Sequence, residues 1–376
     1  MLPSGRDCAS RSGSSSRVNV RSLAFYLPQY HPIPENDAWW GAGFTDWVNV
    51  ARARALFRGH YQPHQPADLG YYDLRLSEAR EAQAELAREN GIFGFCYYHY
   101  WFNGRRVLSR PFQEVLDSGQ PDFPFCLCWA NEDWTRAWDG QNGECLLRQE
   151  YSVDDDRAHI RWLLDAFADD RYVRVNDKPL FLVYAAGLLP DPRRTTDIWR
   201  KEAARAGIGE LYLCRVESGR HERGDAESLG FDAGVEFQPD FRSLGEPRGR
   251  SLALRAARRV LNPRSPYRRH RVFDYATVVD RMLNRPAPEY KRFPCVTPGW
   301  DNTPRRRRQG VVLRDCDPSE YERWLRAVVD EFVPFSRDEN LVFVNAWNEW
   351  AEGNHLEPCR RFGRAHLEAT RRVLGR

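Results

Sequence analysis

Lysine is nearly missing from this chain. Of its 56 basic residues, only Lys178, Lys201 and Lys291 are lysines, and the rest are arginines. That bias reads as a background of genome composition. No segment approaches the roughly 18 continuous apolar residues of a membrane-spanning helix. Residues 1–20 are rich in Ser, Arg and Gly, lack the apolar stretch of a signal peptide, and read as a disordered lead-in. A glycine-rich nucleotide loop is also missing, because Gly41-Ala42-Gly43 is not followed by the third glycine. There is no His-Glu-x-x-His motif. Cys126 and Cys128 stand two apart rather than at zinc spacing. The cysteine count, nine, is odd, and several lie in apolar runs, so buried free thiols in a reducing compartment fit better than a disulfide framework. A net charge of +3 argues against a dedicated nucleic-acid binder. The expectation is a cytoplasmic protein without metal or cofactor.

Aromatic residues are plentiful: 13 Trp, 16 Tyr and 20 Phe in 376 residues. Many fall in eight short apolar runs bounded by Gly, Pro, Asn or Asp. The runs are Ser22–Tyr30, Ile92–Trp101, Phe123–Asn131, Pro179–Ala186, Leu211–Ser218, Ala233–Gln238, Phe293–Asn302 and Leu341–Trp350. Helical patterns fill most gaps, among them Leu74–Asn90, Asp154–Phe167, Pro192–Ala206, Asp274–Leu283 and Ser319–Phe332. Eight buried strands alternating with helices predict an α/β fold, a (β/α)8 TIM-type barrel with long βα loops. A doubly wound open sheet is the alternative. Residues 21–376 then form a single catalytic domain. Long loops cover residues 31–73 and 239–272, the latter forming a basic insertion near 240–272.

In a barrel, the loops at the C-terminal strand ends build the site. Run one closes on Tyr26, Gln29, Tyr30 and His31, and its loop carries Trp39, Trp40 and Trp47. Run two ends on Tyr98, His99 and Trp101. Run three ends on Trp129, Asn131 and Glu132, followed by Trp134. Run seven ends on Trp300 and Asp301, and run eight on Trp347 and Asn348. Flat rings stack on sugar C–H faces, while amides and carboxylates bond hydroxyls, so the set points to a sugar site. Any single ring could equally cap the barrel core. Glu349 and Glu352 follow the most apolar strand and precede Gly353. Two carboxylates at a strand end suit glycosidic-bond chemistry, one as acid and one as base or nucleophile. The spacing alone also suits salt bridging to arginine.

Two further signals compete. Asp154-Asp155-Asp156 has the Asp-x-Asp form of a metal pair but opens a predicted helix, where acidic residues are ordinary. Arg248–Arg271 holds nine arginines and could touch an anionic membrane surface as a basic amphipathic helix, or be a solvated insertion.

The stretch NEWAEGNHLEP, with FYLPQYHPIPENDAWWGAGFTDW, GFCYYHYWF, CWANEDWTRAWDG, NDKPLFLVY and PGWDNTPRR, resembles the bacterial WbsX family over residues 22–375. That family is one of glycosyltransferases of surface-polysaccharide clusters and is similar to glycoside hydrolase family 99, the endo-α-mannosidases. The resemblance implies a (β/α)8 barrel acting on a free or lipid-linked oligo- or polysaccharide of the O-antigen type. It implies Glu349 as the base that deprotonates a sugar 2-hydroxyl and Glu352 as the acid on the leaving oxygen, with retention. Ala351 departs from the pattern, since family 99 has His there. A glycosyltransferase using an activated sugar donor and a non-catalytic glycan-binding barrel remain open.

Overall fold

The computed structural model describes residues 20–136, 144–218, 224–248, 266–306 and 308–375. Each of the eight apolar runs supplies one strand of a parallel barrel. These are β1 (Arg21–Tyr26), β2 (Gly94–Phe102), β3 (Phe125–Trp129), β4 (Lys178–Val183), β5 (Tyr212–Glu217), β6 (Ala233–Glu236), β7 (Arg292–Phe293 and Cys295–Val296) and β8 (Leu341–Val344). Neighbours follow chain order from β1 to β6, and β8 returns beside β1.

Closure occurs at β7. Its first half pairs with β6, through Gly234 with Arg292 and Val235 with Phe293. Its second half pairs with β8, through Cys295 with Phe343 and Val296 with Val344. Pro294 stands at the break. It has no N–H to give, but its carbonyl accepts from Phe343 N at 2.8 Å. The strand thus passes from one neighbour to the other and the ring shuts, as eight alternating strands require.

Both faces of the strands are buried, which is why the runs are continuously apolar rather than alternating. Phe25 meets Tyr98, Phe237 and Phe343 across the barrel interior at centroid distances of 5.6, 5.8 and 5.6 Å. Tyr26 faces outward, against Phe95, Tyr97 and the helix Ser77–Glu89. Most predicted helices form within a few residues of expectation; Pro192–Arg205, Tyr275–Leu283 and Pro318–Glu331 are examples. The long loop after β1 contains two short helices that the sequence pattern did not separate, α1 (Pro34–Trp40) and α2 (Asp46–Arg52). Pro34 starts α1 where its missing N–H costs nothing. Asp154, Asp155 and Asp156 lie in the first turn of the helix Val153–Phe167, with Ser152 accepting from Asp155 N. Most of Arg248–Arg271 lies outside the described residues. Within the described part, Arg248 pairs with Asp274. No helix among the described residues is long and apolar enough to cross a membrane.

Candidate active site

A cavity of about 310 Å³ opens at the C-terminal end of the barrel. Its floor is aromatic, formed by Tyr98, Tyr184 and Phe237. One wall is built by Trp39 and Trp40 of α1 with Trp134 and Tyr100, and Trp134 meets Trp39 and Tyr100 edge-on at 5.8 and 5.2 Å. The opposite side carries Glu349, Glu352, Arg305 and Trp300.

The polar centre is organised by Arg305. Its guanidinium bonds Asp46 Oδ2 at 2.7 Å, Glu349 Oε2 at 3.0 Å and Glu352 Oε1 at 3.0 Å. Asp46, at the start of α2, is fully buried, and Arg305 and Glu349 are each 7 % exposed. Three carboxylates therefore share one cation, with Asp46, Arg305 and Glu349 buried and Glu352 part-exposed to the cavity. Burial pushes the Glu349 carboxyl up to about 8; Arg305 opposes this, while Glu352 and Asp46 add to it. Burial raises Glu352 as well, with Arg305 again opposing. Burial alone would lower Arg305, yet the three acids hold it well above its ordinary value. Burial and the neighbouring acids thus favour a proton on the Glu349–Glu352 pair, and Arg305 opposes it.

The turn bearing the pair is anchored from behind. Tyr30 donates its hydroxyl to Asn348 O at 2.5 Å and accepts from Trp350 N at 3.1 Å. Asn348 receives Leu27 N at 2.7 Å and donates to Leu27 O at 3.0 Å, so its amide continues the β1 ladder where the backbone stops. Glu357, fully enclosed, accepts from Tyr72, Gln83 and Trp350 at 2.8, 2.6 and 2.5 Å. Its carboxyl is raised to about 7, chiefly by burial. Gly353 ends the turn at φ 57, and a Cβ there would lie 2.9 Å from Asp301 Cβ.

Of the residues that the sequence singles out, Gln29, Trp39, Trp40, Tyr98, Glu132, Trp134, Trp300, Glu349 and Glu352 border the cavity. The others sit behind its wall. Tyr26 donates to Gln83 at 2.6 Å. His31 bonds Pro28 O at 2.9 Å, and burial lowers its ring to about 4. Trp47 donates to Tyr72 O and packs 5.6 Å from Trp350. His99 stacks on Trp162 at 4.6 Å, and Trp101 donates to Asp155 at 2.9 Å. Trp129 donates to Trp101 O at 3.1 Å, and Trp347 is fully buried against Phe95. Asn131 bonds both Ala185 N and Ala185 O, the same ladder extension that Asn348 makes. Asp301 accepts from His60, Gln62 and Thr303, and its own N–H bonds Glu352 O at 2.5 Å. Although burial would raise it, these donors hold Asp301 below the ordinary carboxylate range.

Sequence reasoning passed over Asp46, Arg305, Tyr184 and Asn36, all in or beside the cavity. Arg305 was hidden in a run of four arginines, and Asp46 in an ordinary helix start. Among the described residues no group of three or more His, Cys, Asp or Glu is arranged to hold a metal. His60 and His64 are occupied otherwise, by Asp301 at 2.6 Å and His355 at 2.9 Å.

Comparison with known proteins decides the family. The model of the family "Glycosyltransferase WbsX" matches residues 22–370. The chain belongs to the WbsX glycosyltransferase family. WxcX of Xanthomonas campestris pv. campestris strain B100 is 45 % identical over 355 residues, covering 94 % of this chain and 49 % of that protein. Strain ATCC 33913 has a WxcX with the same identity and coverage. This WbsX-family chain thus spans about half the length of the curated relatives it matches. Among solved structures, a glycoside hydrolase-like protein aligns with TM-score 0.60 and 13 % identity over 95 % of this chain and 94 % of its own. The GH99 endo-α-mannosidase from Bacteroides thetaiotaomicron aligns with TM-score 0.52 and 17 % identity over 94 % and 96 %. At such identity the likeness is one of fold, and it agrees with the barrel described above.

Proposed function

We propose that this carbohydrate-active protein breaks or transfers a glycosidic bond with retention, using Glu349 and Glu352, on an oligo- or polysaccharide of the bacterial surface. The observation that carries this reading is the Arg305 cluster, which places both glutamates on one fixed cation at the barrel mouth. In the first step the Glu349 carboxylate takes the proton of the sugar 2-hydroxyl. That oxygen attacks C1 while the bond from C1 to the leaving oxygen breaks, and Glu352 gives its proton to the leaving oxygen. In the second step an acceptor hydroxyl, from water or another sugar, attacks C1 and passes its proton to Glu352. The bond from C1 to the 2-oxygen breaks, and Glu349 returns its proton to that oxygen. The pair holds one proton at the start and at the end, on Glu352 with Glu349 ionised, and Arg305 offsets part of the burial that raises Glu349.

A donor carrying a diphosphate fits less well. Among the described residues bordering the cavity, Glu132, Asp133, Glu349 and Glu352 face Arg305 and Arg306, and Arg305 is already engaged by three acids. Glu349→Gln and Glu352→Gln should each lower turnover of the native polysaccharide by roughly a hundredfold or more. Full activity in both would end the two-glutamate reading, and tight calorimetric binding of a nucleotide sugar would favour the activated-donor alternative. We place the whole of residues 21–376 in this one unit. Contact of Arg248–Arg271 with a membrane carrying lipid-linked glycan is part of the proposal. It requires salt-sensitive liposome binding that is lost when these arginines become Gln.

A further inference from the structure

Asn36 is 1 % exposed, borders the cavity, and has no partner for either amide atom. A buried amide left wholly unpaired is costly, since each lost bond forfeits the hydration of its group without return. Its neighbours are fixed by the helix. On α1, positions 36, 39 and 40 are spaced i, i+3 and i+4, so Asn36 lies on one face with Trp39 and Trp40. Trp134 closes the same wall against Trp39 at 5.8 Å.

From this we infer that Asn36 is a specificity-determining residue, and that α1 with Trp134 forms a subsite for an N-acylated amino sugar. The inference rests on the cavity being a sugar site. An acetamido group carries one N–H and one C=O, and a side-chain amide answers both, giving its N–H to that carbonyl and its carbonyl to that N–H. The acyl methyl is apolar and needs an apolar neighbour, which the indoles of Trp39, Trp40 and Trp134 supply. Anionic sugars suit this cavity poorly, because its bordering acids outnumber its bordering arginines among the described residues. The acetamido sugar belongs in the subsite beside the scissile bond rather than at it. The reacting sugar needs a free 2-hydroxyl in the proposed mechanism, so it cannot carry the acetamido group at C2.

The test is a ligand-observed NMR titration of the full chain. Its probes are the methyl glycosides of 2-acetamido-2-deoxy-glucose, -galactose and -mannose, each beside its parent hexoside. At least one acetamido probe should bind about tenfold more tightly than its parent, a difference of about 1.4 kcal/mol. Asn36→Ala should abolish that preference. Asn36→Leu keeps the approximate shape but loses both donor and acceptor, and it buries no unpaired charge. It should also lose the preference, and it serves where the alanine variant fails to fold. Equal binding of every pair by the unsubstituted protein, or a preference that survives in a folded Asn36 variant, overturns the inference. Turnover by Glu349→Gln and Glu352→Gln is a separate readout. If those variants stay active while the acetamido preference depends on Asn36, the mechanism falls and the subsite stands. If they lose activity while no preference exists, the reverse holds.

Discussion

Arg305 shows how much of the site rests on a single side chain. It is buried, and its planar fork reaches Asp46, Glu349 and Glu352 at once. Deleting it takes from Asp46, Glu349 and Glu352 the cation that all three bond. Arg305→Ala should therefore destabilise the fold by about 3–5 kcal/mol, the usual effect of stripping one partner from a buried ionic group. Urea unfolding at pH 7 measures this, and a change within experimental error would show that the cluster is not coupled. Arg305→Lys keeps the charge but offers a point donor in place of a fork. It should recover most of the stability and little of the turnover. The sequence held both Arg305 and Asp46 in view without marking either. With 56 basic residues that are almost all arginine, one member of a four-arginine run carries no signal, and an acid in the first turn of a helix is expected for dipole reasons alone. What joins them is a tertiary contact across 259 positions of chain. Glu349 and Glu352 stood out because the strand before them is so apolar that two adjoining carboxylates need a reason.

The elements of the rim explain why the composition of strand ends was an ambiguous guide. Asn, aromatic and acidic residues gather there for two different purposes. Asn131 and Asn348 spend their amides on continuing the parallel ladders, and Trp129 and Trp347 fill the space beneath. Trp39, Trp40 and Trp134 face the cavity. Both uses ask for the same residue types, so periodicity located the rim but could not sort its members. The barrel itself was readable, because two-sided burial makes each strand a continuous apolar run. Even Pro294, unusual within a strand, falls where β7 changes neighbours. The turn after β8 is set by Gly353. Its left-handed φ of 57 disfavours any Cβ, and a Cβ there would press on Asp301, whose N–H holds Glu352 O. Gly353→Ala should thus cost roughly 1–2 kcal/mol in backbone strain. On the proposed mechanism the larger effect should be on turnover, lowered by about a hundredfold when Glu352 is displaced. A thermal melt with parallel kinetics distinguishes the two. If turnover fell only in proportion to the folded fraction, the turn would be a scaffold feature alone.

For the molecule as a whole, the acidic cluster predicts a conflict between stability and activity that pH exposes. The Glu349 carboxyl sits at about 8 in the folded chain, above its ordinary value of 4.5. Between those values the folded state binds more protons than the unfolded state. Stability must then fall as pH rises through this window, because the slope follows the difference in protons bound. Above the upper limit the full penalty of a buried extra carboxylate is present, and below the lower limit it is absent. Glu357, raised to about 7 chiefly by burial, adds to the same slope. Glu349→Gln removes the titrating group while leaving Asp46 and Glu352 on Arg305. The variant should equal the parent near pH 4 and become the more stable of the two towards pH 8. Chemical denaturation across that range is the measurement. A parent protein whose stability advantage over Glu349→Gln grew with pH would mean that the carboxylate is stabilised as an ion. Activity should fall on the alkaline side as Glu352 gives up the proton it must donate, and on the acid side as Glu349 is filled. A bell-shaped turnover profile in the parent is the expected result, and a profile with no alkaline limb would remove Glu352 as the acid.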